Sequence, residues 1–149
     1  MANKIRTSIS LSKEILDALE NSRSAGQQFV SGRISSVISR YLLLLEYGHK
    51  ELKSVLTKRE IQYIIRVMSG KSVDEDNLSL WLAHGLPHAI YNPSLHADED
   101  PEAHLNRYEL SERVGELTFY ARLALIELTE QARGLGPNEI EDRILKEFG

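Results

Sequence analysis

The feature that most constrains this chain is one short run with a period of two. Ile5, Thr7, Ile9 and Leu11 alternate with Arg6, Ser8 and Ser10, the pattern of a strand with one apolar and one polar face. Everywhere else the apolar residues recur at helical spacing. A lone strand leaves its backbone N–H and C=O groups without partners, so it must pair with something. In a chain that is otherwise helical, the strand available is the same strand of a second copy. Two-fold symmetry then gives an antiparallel ribbon with Arg6, Ser8 and Ser10 on its outward face. The matching dimer core is Ile9 and Leu11, with Val37, Ile38, Tyr41, Leu42 and Leu45 from a following helix. A unit of about fifty residues is also too small to build an ample core by itself. A second reading stays open at this point: the run could be an edge strand or arm packed on a helical domain.

The helices that follow are read from their punctuation. Ser12 is an N-cap for a helix starting at Lys13, with Glu14 in its first turn and Ile15, Leu16 and Leu19 at helical spacing. Asn21–Gly32 reads as a connection. A second helix is expected from Ile34 to Tyr47, closed by Gly48. The expected division is therefore a head, residues 1–48, and a helical body, residues 49–149. In the body, Thr57 and Glu60 form a capping box, with Leu56 and Ile61 as its hydrophobic staple. Ile61, Ile64, Ile65 and Met68 make the apolar stripe of that helix, and Gly70 ends it. Ser72 and Glu75 suggest a second box, for a helix carrying Leu78, Trp81 and Leu82 that stops at Gly85 before Pro87. Asn92–Pro101 is a connection, with Asp100 and Pro101 fitting an N-cap and first-turn proline.

A long helix is expected from Leu110 to Arg133. Val114, Leu117, Ala121, Ala124, Leu125 and Leu128 form one stripe, and Phe119, Leu123 and Ile126 a second, so it should be covered on two sides. Gly134 and Gly136-Pro137 precede a last helix with a box at Asn138–Glu141 and apolar residues Ile140, Ile144, Leu145 and Phe148. The expected fold class is mainly α: one short strand and two helices in an intertwined dimer, then an all-helical domain for oligomerisation or for binding a partner or effector.

Charge decides where a nucleic acid would bind. The whole chain carries −4, but residues 1–50 hold seven Lys/Arg against four acids, and the rest hold eleven against eighteen. A basic head on an acidic body fits nucleic-acid contact confined to the head. With 42% apolar and 27% charged residues, wholesale disorder is not expected. Cysteine is absent, which excludes disulfides, thiolate metal sites and cysteine nucleophiles. The longest apolar run, Tyr41–Leu45, is far short of a membrane span. The first residues lack the apolar core of a signal peptide, so a cytoplasmic protein without membrane contact is expected.

The run Arg6-Thr7-Ser8-Ile9-Ser10-Leu11-Ser12 leads directly into Lys13-Glu14-Ile15-Leu16-Asp17-Ala18-Leu19, and Gly32–Ile38 (Gly-Arg-Ile-Ser-Ser-Val-Ile) opens the second helix. Over these residues, about a third of the chain, the sequence resembles the ribbon-helix-helix family of Arc- and MetJ-type repressors. The connection containing Gln27, Gln28, Phe29 and Val30 is longer than is usual there. The resemblance implies a homodimer, or a higher oligomer, whose ribbon enters the major groove of double-stranded DNA. Arg6, Ser8 and Ser10 would contact bases, with Arg6 suited to the O6 and N7 of guanine. Lys4, Lys13, Arg33, Ser35 and Ser36 would contact phosphates, the serines through free N–H groups at the start of the second helix. The function it implies is sequence-specific DNA binding, as a transcriptional repressor. The alternative is a helical protein–protein interaction module, antitoxin-like or a plasmid accessory protein, whose arm pairs with a protein partner.

Other patterns carry less. His84 and His88 are four apart, but Gly85 and Pro87 between them should break the helix. His96, Asp98, Asp100 and His104 form a loop cluster, read as ordinary solvated residues, so no metal is expected. Trp81, Tyr91, Tyr108, Phe119 and Tyr120 read as core rather than as an effector pocket. No phosphate loop, nucleophile elbow or zinc-protease motif occurs, so no cofactor, catalytic residue or enzymatic activity is assigned.

Overall fold

A computed structural model describes residues 8–22, 30–92 and 106–148. Among them the helices run in the order α1 (Lys13–Ser22), α2 (Val30–Val55), α3 (Lys58–Met68), α4 (Leu78–Leu80), α5 (Leu86–Tyr91), α6 (Arg107–Glu116), α7 (Phe119–Gln131) and α8 (Pro137–Ile140), with π-helical segments at Trp81–Gly85 and Glu141–Leu145. The described chain is thus mainly helical, and it contains no strand. Ser8–Ser12 precedes α1 as exposed, irregular chain, while the earlier half of the alternating run lies outside the described residues. A ladder needs a second strand, and the described residues offer none. No described helix is long and apolar enough to cross a membrane.

The chain divides into two units, Met1–Leu42 and Leu43–Gly149. In the first, α1 starts where its cap predicts: the Ile15 N–H donates to Ser12 Oγ at 3.3 Å. α2 departs from expectation at both ends. It begins at Val30, before Ile34, and passes straight through Gly48 to Val55. A glycine after a periodic apolar run reads as a helix stop, but Gly48 serves a close approach instead. A Cβ there would lie 2.1 Å from the Tyr120 carbonyl oxygen and 2.8 Å from the Ala124 Cβ. Only a bare glycine lets α2 touch the backbone of α7.

α3 sits at the centre of the second unit. Its start is the expected capping box: Thr57 Oγ1 accepts from the Glu60 N–H at 3.2 Å, and the Glu60 carboxylate accepts from the Thr57 N–H at 2.9 Å. Leu56 and Ile61 are both buried beside it, as a staple requires. Gly70, with φ +83°, turns the chain away. Ile61, Tyr63, Ile64, Ile65, Val67 and Met68 are buried, and α3 packs against α5, α7 and the Glu141–Leu145 segment. Each such aliphatic side chain contributes about 1.5–3 kcal/mol when fully removed from water. The Tyr63 hydroxyl, also interior, donates to the Ile90 carbonyl at 3.3 Å.

The helix expected to stop at Gly85 does not. Residues 78–91 form one helical run, α in its first and last parts and π between. Pro87 has no N–H, so it withholds a donor from Ala83, its α-register acceptor, and from Leu82, its π-register acceptor. Arg122 of α7 replaces the missing donor. Its Nη1 donates to the Leu82 carbonyl at 2.7 Å and the Ala83 carbonyl at 2.9 Å. Its Nη2 donates to the carbonyl of Gly115, in the last turn of α6 where carbonyls lack helical partners. One guanidinium thereby serves backbone carbonyls of two helical runs.

The long helix expected over Leu110–Arg133 is two helices, α6 and α7. Thr118 caps the second: its hydroxyl accepts from the Ala121 N–H at 3.4 Å. The Glu51 carboxylate of α2 closes over the same turn, accepting from the Thr118 N–H at 2.9 Å and the Thr118 hydroxyl at 2.6 Å. The first predicted stripe is buried throughout, from Val114 to Leu128. In the second, Leu123 and Ile126 are buried and Phe119 is exposed. The last helix begins at Pro137 without a side-chain cap, rather than at a box formed by Asn138 and Glu141. It still places Ile144, Leu145 and Phe148 in the interior.

Candidate nucleic-acid interface

Lys4 and Arg6, the strongest base and phosphate candidates in the sequence, lie outside the described residues. Ser8 and Ser10 are exposed in the segment before α1, and Lys13 is exposed at its first turn. Arg33 is half-buried in the first turn of α2, where its Nε donates to Ser22 Oγ at 3.0 Å. The Ser22 hydroxyl in turn donates to the Leu19 carbonyl at 3.3 Å. This bond ties the end of α1 to the start of α2. Ser22 carried no signal in the sequence, because a helix-terminal serine has many possible partners.

The early start of α2 changes what Ser35 and Ser36 can offer. A helix leaves only its first N–H groups without internal acceptors. With α2 beginning at Val30, the amides of Ser35 and Ser36 fall within the i→i−4 ladder. Their hydroxyls are then the groups left to reach a phosphate.

Five of the seven residues expected to form a dimer core are exposed. Ile9 is 59% exposed, Ile38 49% and Leu42 58%, and Leu11 and Val37 are exposed as well. Tyr41 is half-buried, and Leu45 packs against the core of the second unit. Ile15 and Leu16 of α1, absent from the expected set although their spacing had marked them as one face, join the exposed group. None of the described residues of the first unit is buried.

Several other candidates are resolved by the geometry. His84 and His88 belong to one continuous helical run, contrary to the expected break, because Arg122 and the π-helical turn accommodate Pro87. No group of three or more His, Cys, Asp or Glu that could hold a metal occurs among the described residues. The loop cluster His96, Asp98, Asp100 and His104 lies outside them. Of the aromatics expected in the core, only Trp81 packs against it. Tyr91, Tyr108, Phe119 and Tyr120 are exposed and pair edge-to-face, Tyr91 with Tyr108 and Phe119 with Tyr120. Helical spacing placed them on faces but could not say which faces were covered.

The one buried charged residue among those described, Glu60, is structural. Arg113 grips its carboxylate with both terminal nitrogens, one of them at 3.1 Å, and also donates to the Val55 carbonyl at 2.9 Å. Burial pushes the Glu60 carboxyl up, but the Arg113 bond, the Thr57 bonds and the Arg113 charge together outweigh it and hold the pKa below the usual carboxylate range. A depressed carboxylate contributes stability that is complete above its unfolded pKa and lost as pH falls through its folded one. Acid titration followed by circular dichroism should therefore show unfolding that steepens below about pH 4.3. Glu60→Gln should flatten that limb, and an unchanged limb would contradict the assignment.

In comparisons with family models, curated proteins and solved structures, nothing matches the chain.

Proposed function

We propose that this chain is a homodimeric, sequence-specific DNA-binding protein acting as a transcriptional repressor. It would read the major groove with an antiparallel ribbon formed by the Ile5–Leu11 runs of two copies. The observation that carries this reading is the uncovered apolar surface of the first unit. α1 and the first half of α2 expose Ile15, Leu16, Val37, Ile38 and Leu42, with Ile9 and Leu11 ahead of them. Apolar groups in such number within one small unit are the mark of an obligate contact. A second copy covers them and supplies the missing strand partner in the same step. Arg6, Ser8 and Ser10 then form the reading face, while Lys4, Lys13 and Arg33, with the Ser35 and Ser36 hydroxyls, lie toward phosphates. The helical unit adds oligomer contacts or binds a partner.

Sedimentation equilibrium should give a dimer at micromolar concentration; a stable monomer would sink the shared ribbon. Selection from a random duplex library should return sites with two related halves. On a selected site, Arg6→Ala should cut the preference over random duplex by about 1–3 kcal/mol, while weakening random binding far less. If the wild-type dimer ignores DNA even at low salt, the apolar face serves a protein contact and the regulator reading fails.

A further inference from the structure

We infer that Ser22 is a positioning residue for DNA backbone contact, holding the Arg33 guanidinium so that its two terminal nitrogens meet one phosphate. The inference rests on the DNA-binding reading above. A guanidinium has two donor edges, one formed by Nε with a terminal nitrogen and one by the two terminal nitrogens. Ser22 Oγ accepts from Nε at 3.0 Å, so the Nη1–Nη2 edge is the one left to fork onto two phosphate oxygens. The serine is itself fixed. Its proton is committed to the Leu19 carbonyl, which points an oxygen lone pair rather than the O–H at Arg33.

Position in the chain adds to the case. Arg33 stands in the first turn of α2, where the helix dipole favours an anion. It is anchored from the last residue of α1, eleven positions away, so the bond spans the connection between the helices. An arginine side chain free to rotate loses conformational entropy when it binds. A tether at Nε removes part of that loss in advance.

Phosphate contacts are independent of sequence, so a mixed-sequence duplex is a sufficient probe, with the full chain titrated at several salt concentrations. Arg33→Gln should reduce the slope of log affinity against log salt by about 0.9 per contact removed. Ser22→Ala keeps the charge, so it should weaken binding about threefold to tenfold with the slope unchanged. Ser22→Thr should restore affinity. In the Arg33→Gln background Ser22→Ala should do nothing further. Circular dichroism and sedimentation of each variant should match the wild type. Wild-type affinity for Ser22→Ala, or additive effects in the double variant, would overturn the positioning role while leaving the DNA-binding reading intact. A wild-type chain that does not bind the duplex would overturn both.

Discussion

Replacing Arg122 by Met should destabilise the helical unit by about 2–4 kcal/mol. The methionine keeps most of the apolar stem but removes every donor. Three carbonyls then lose their partner: Leu82, Ala83 and Gly115. A hydrogen bond to a charged group contributes about 1.5–3 kcal/mol, and these acceptors are only partly shielded from water, which keeps the total below a full sum. Urea unfolding should show a lower midpoint with the same slope. The decisive companion is Pro87→Ala. Alone it has a small effect, because Arg122 already serves the carbonyls. In the Arg122→Met background it should recover about 1 kcal/mol, since the alanine N–H can donate to Ala83 or Leu82. Without that recovery, the link between the proline and the arginine would be wrong.

Gly48→Ala should cost about 2–4 kcal/mol even though alanine is the better helix former by nearly 1 kcal/mol. The obstacle is the backbone of α7, with a carbonyl oxygen 2.1 Å from the new methyl, and a backbone cannot rotate aside. Glu51 resists separation of the two helices, because moving α2 outward would break both of its bonds to Thr118. Gly32 on the same helix gives the control. A methyl there meets nothing within 4 Å, so Gly32→Ala should be neutral or stabilising by up to about 1 kcal/mol. Thermal unfolding of the two variants should move in opposite directions; a shared direction would mean that helix propensity rather than the α2–α7 crossing decides both.

Local rules were legible at several helix ends where the stabilising group lies within a few residues, but not at the boxes expected at Ser72–Glu75 and Asn138–Glu141, where the helices start at Leu78 and Pro137 without a side-chain cap. Ser12, Thr57 with Glu60, Gly70 and Gly134 all do what their neighbours predict, because caps and left-handed turns are closed within one turn of chain. The interior of the helical unit was legible for a related reason: Ile61, Ile64, Leu125 and Leu145 sit on stripes that any packed bundle must cover. What failed at Gly48, Pro87 and Leu117 depends on distant partners. Gly48 looks like a stop until Tyr120 is placed against it. Pro87 looks like a breaker until Arg122, thirty-five positions later, supplies its donors. The break at Leu117–Thr118 was hidden because the apolar period continues through it, and its cap is completed from Glu51. In the candidate interface, Ser8 and Ser10 are exposed together with Ile9 and Leu11, so exposure does not separate the two faces of the run, and the earlier start of α2 moved Ser35 and Ser36 away from its free amides. Lys4 and Arg6 remain readings of the sequence alone.

The 26 residues of α2 share one ladder but not one environment, and amide exchange should separate them. Around Gly48 and Leu52 the helix is buried, so those amides should exchange only when the whole bundle opens. From Val30 to Leu42 none of its residues is buried, and amides there should exchange through fraying from the near end. If a second copy covers that stretch, its protection becomes a matter of mass action. Dilution should then speed exchange in the first half of the helix and leave the second half untouched, making the contrast between its halves a gauge of how much of the protein is assembled.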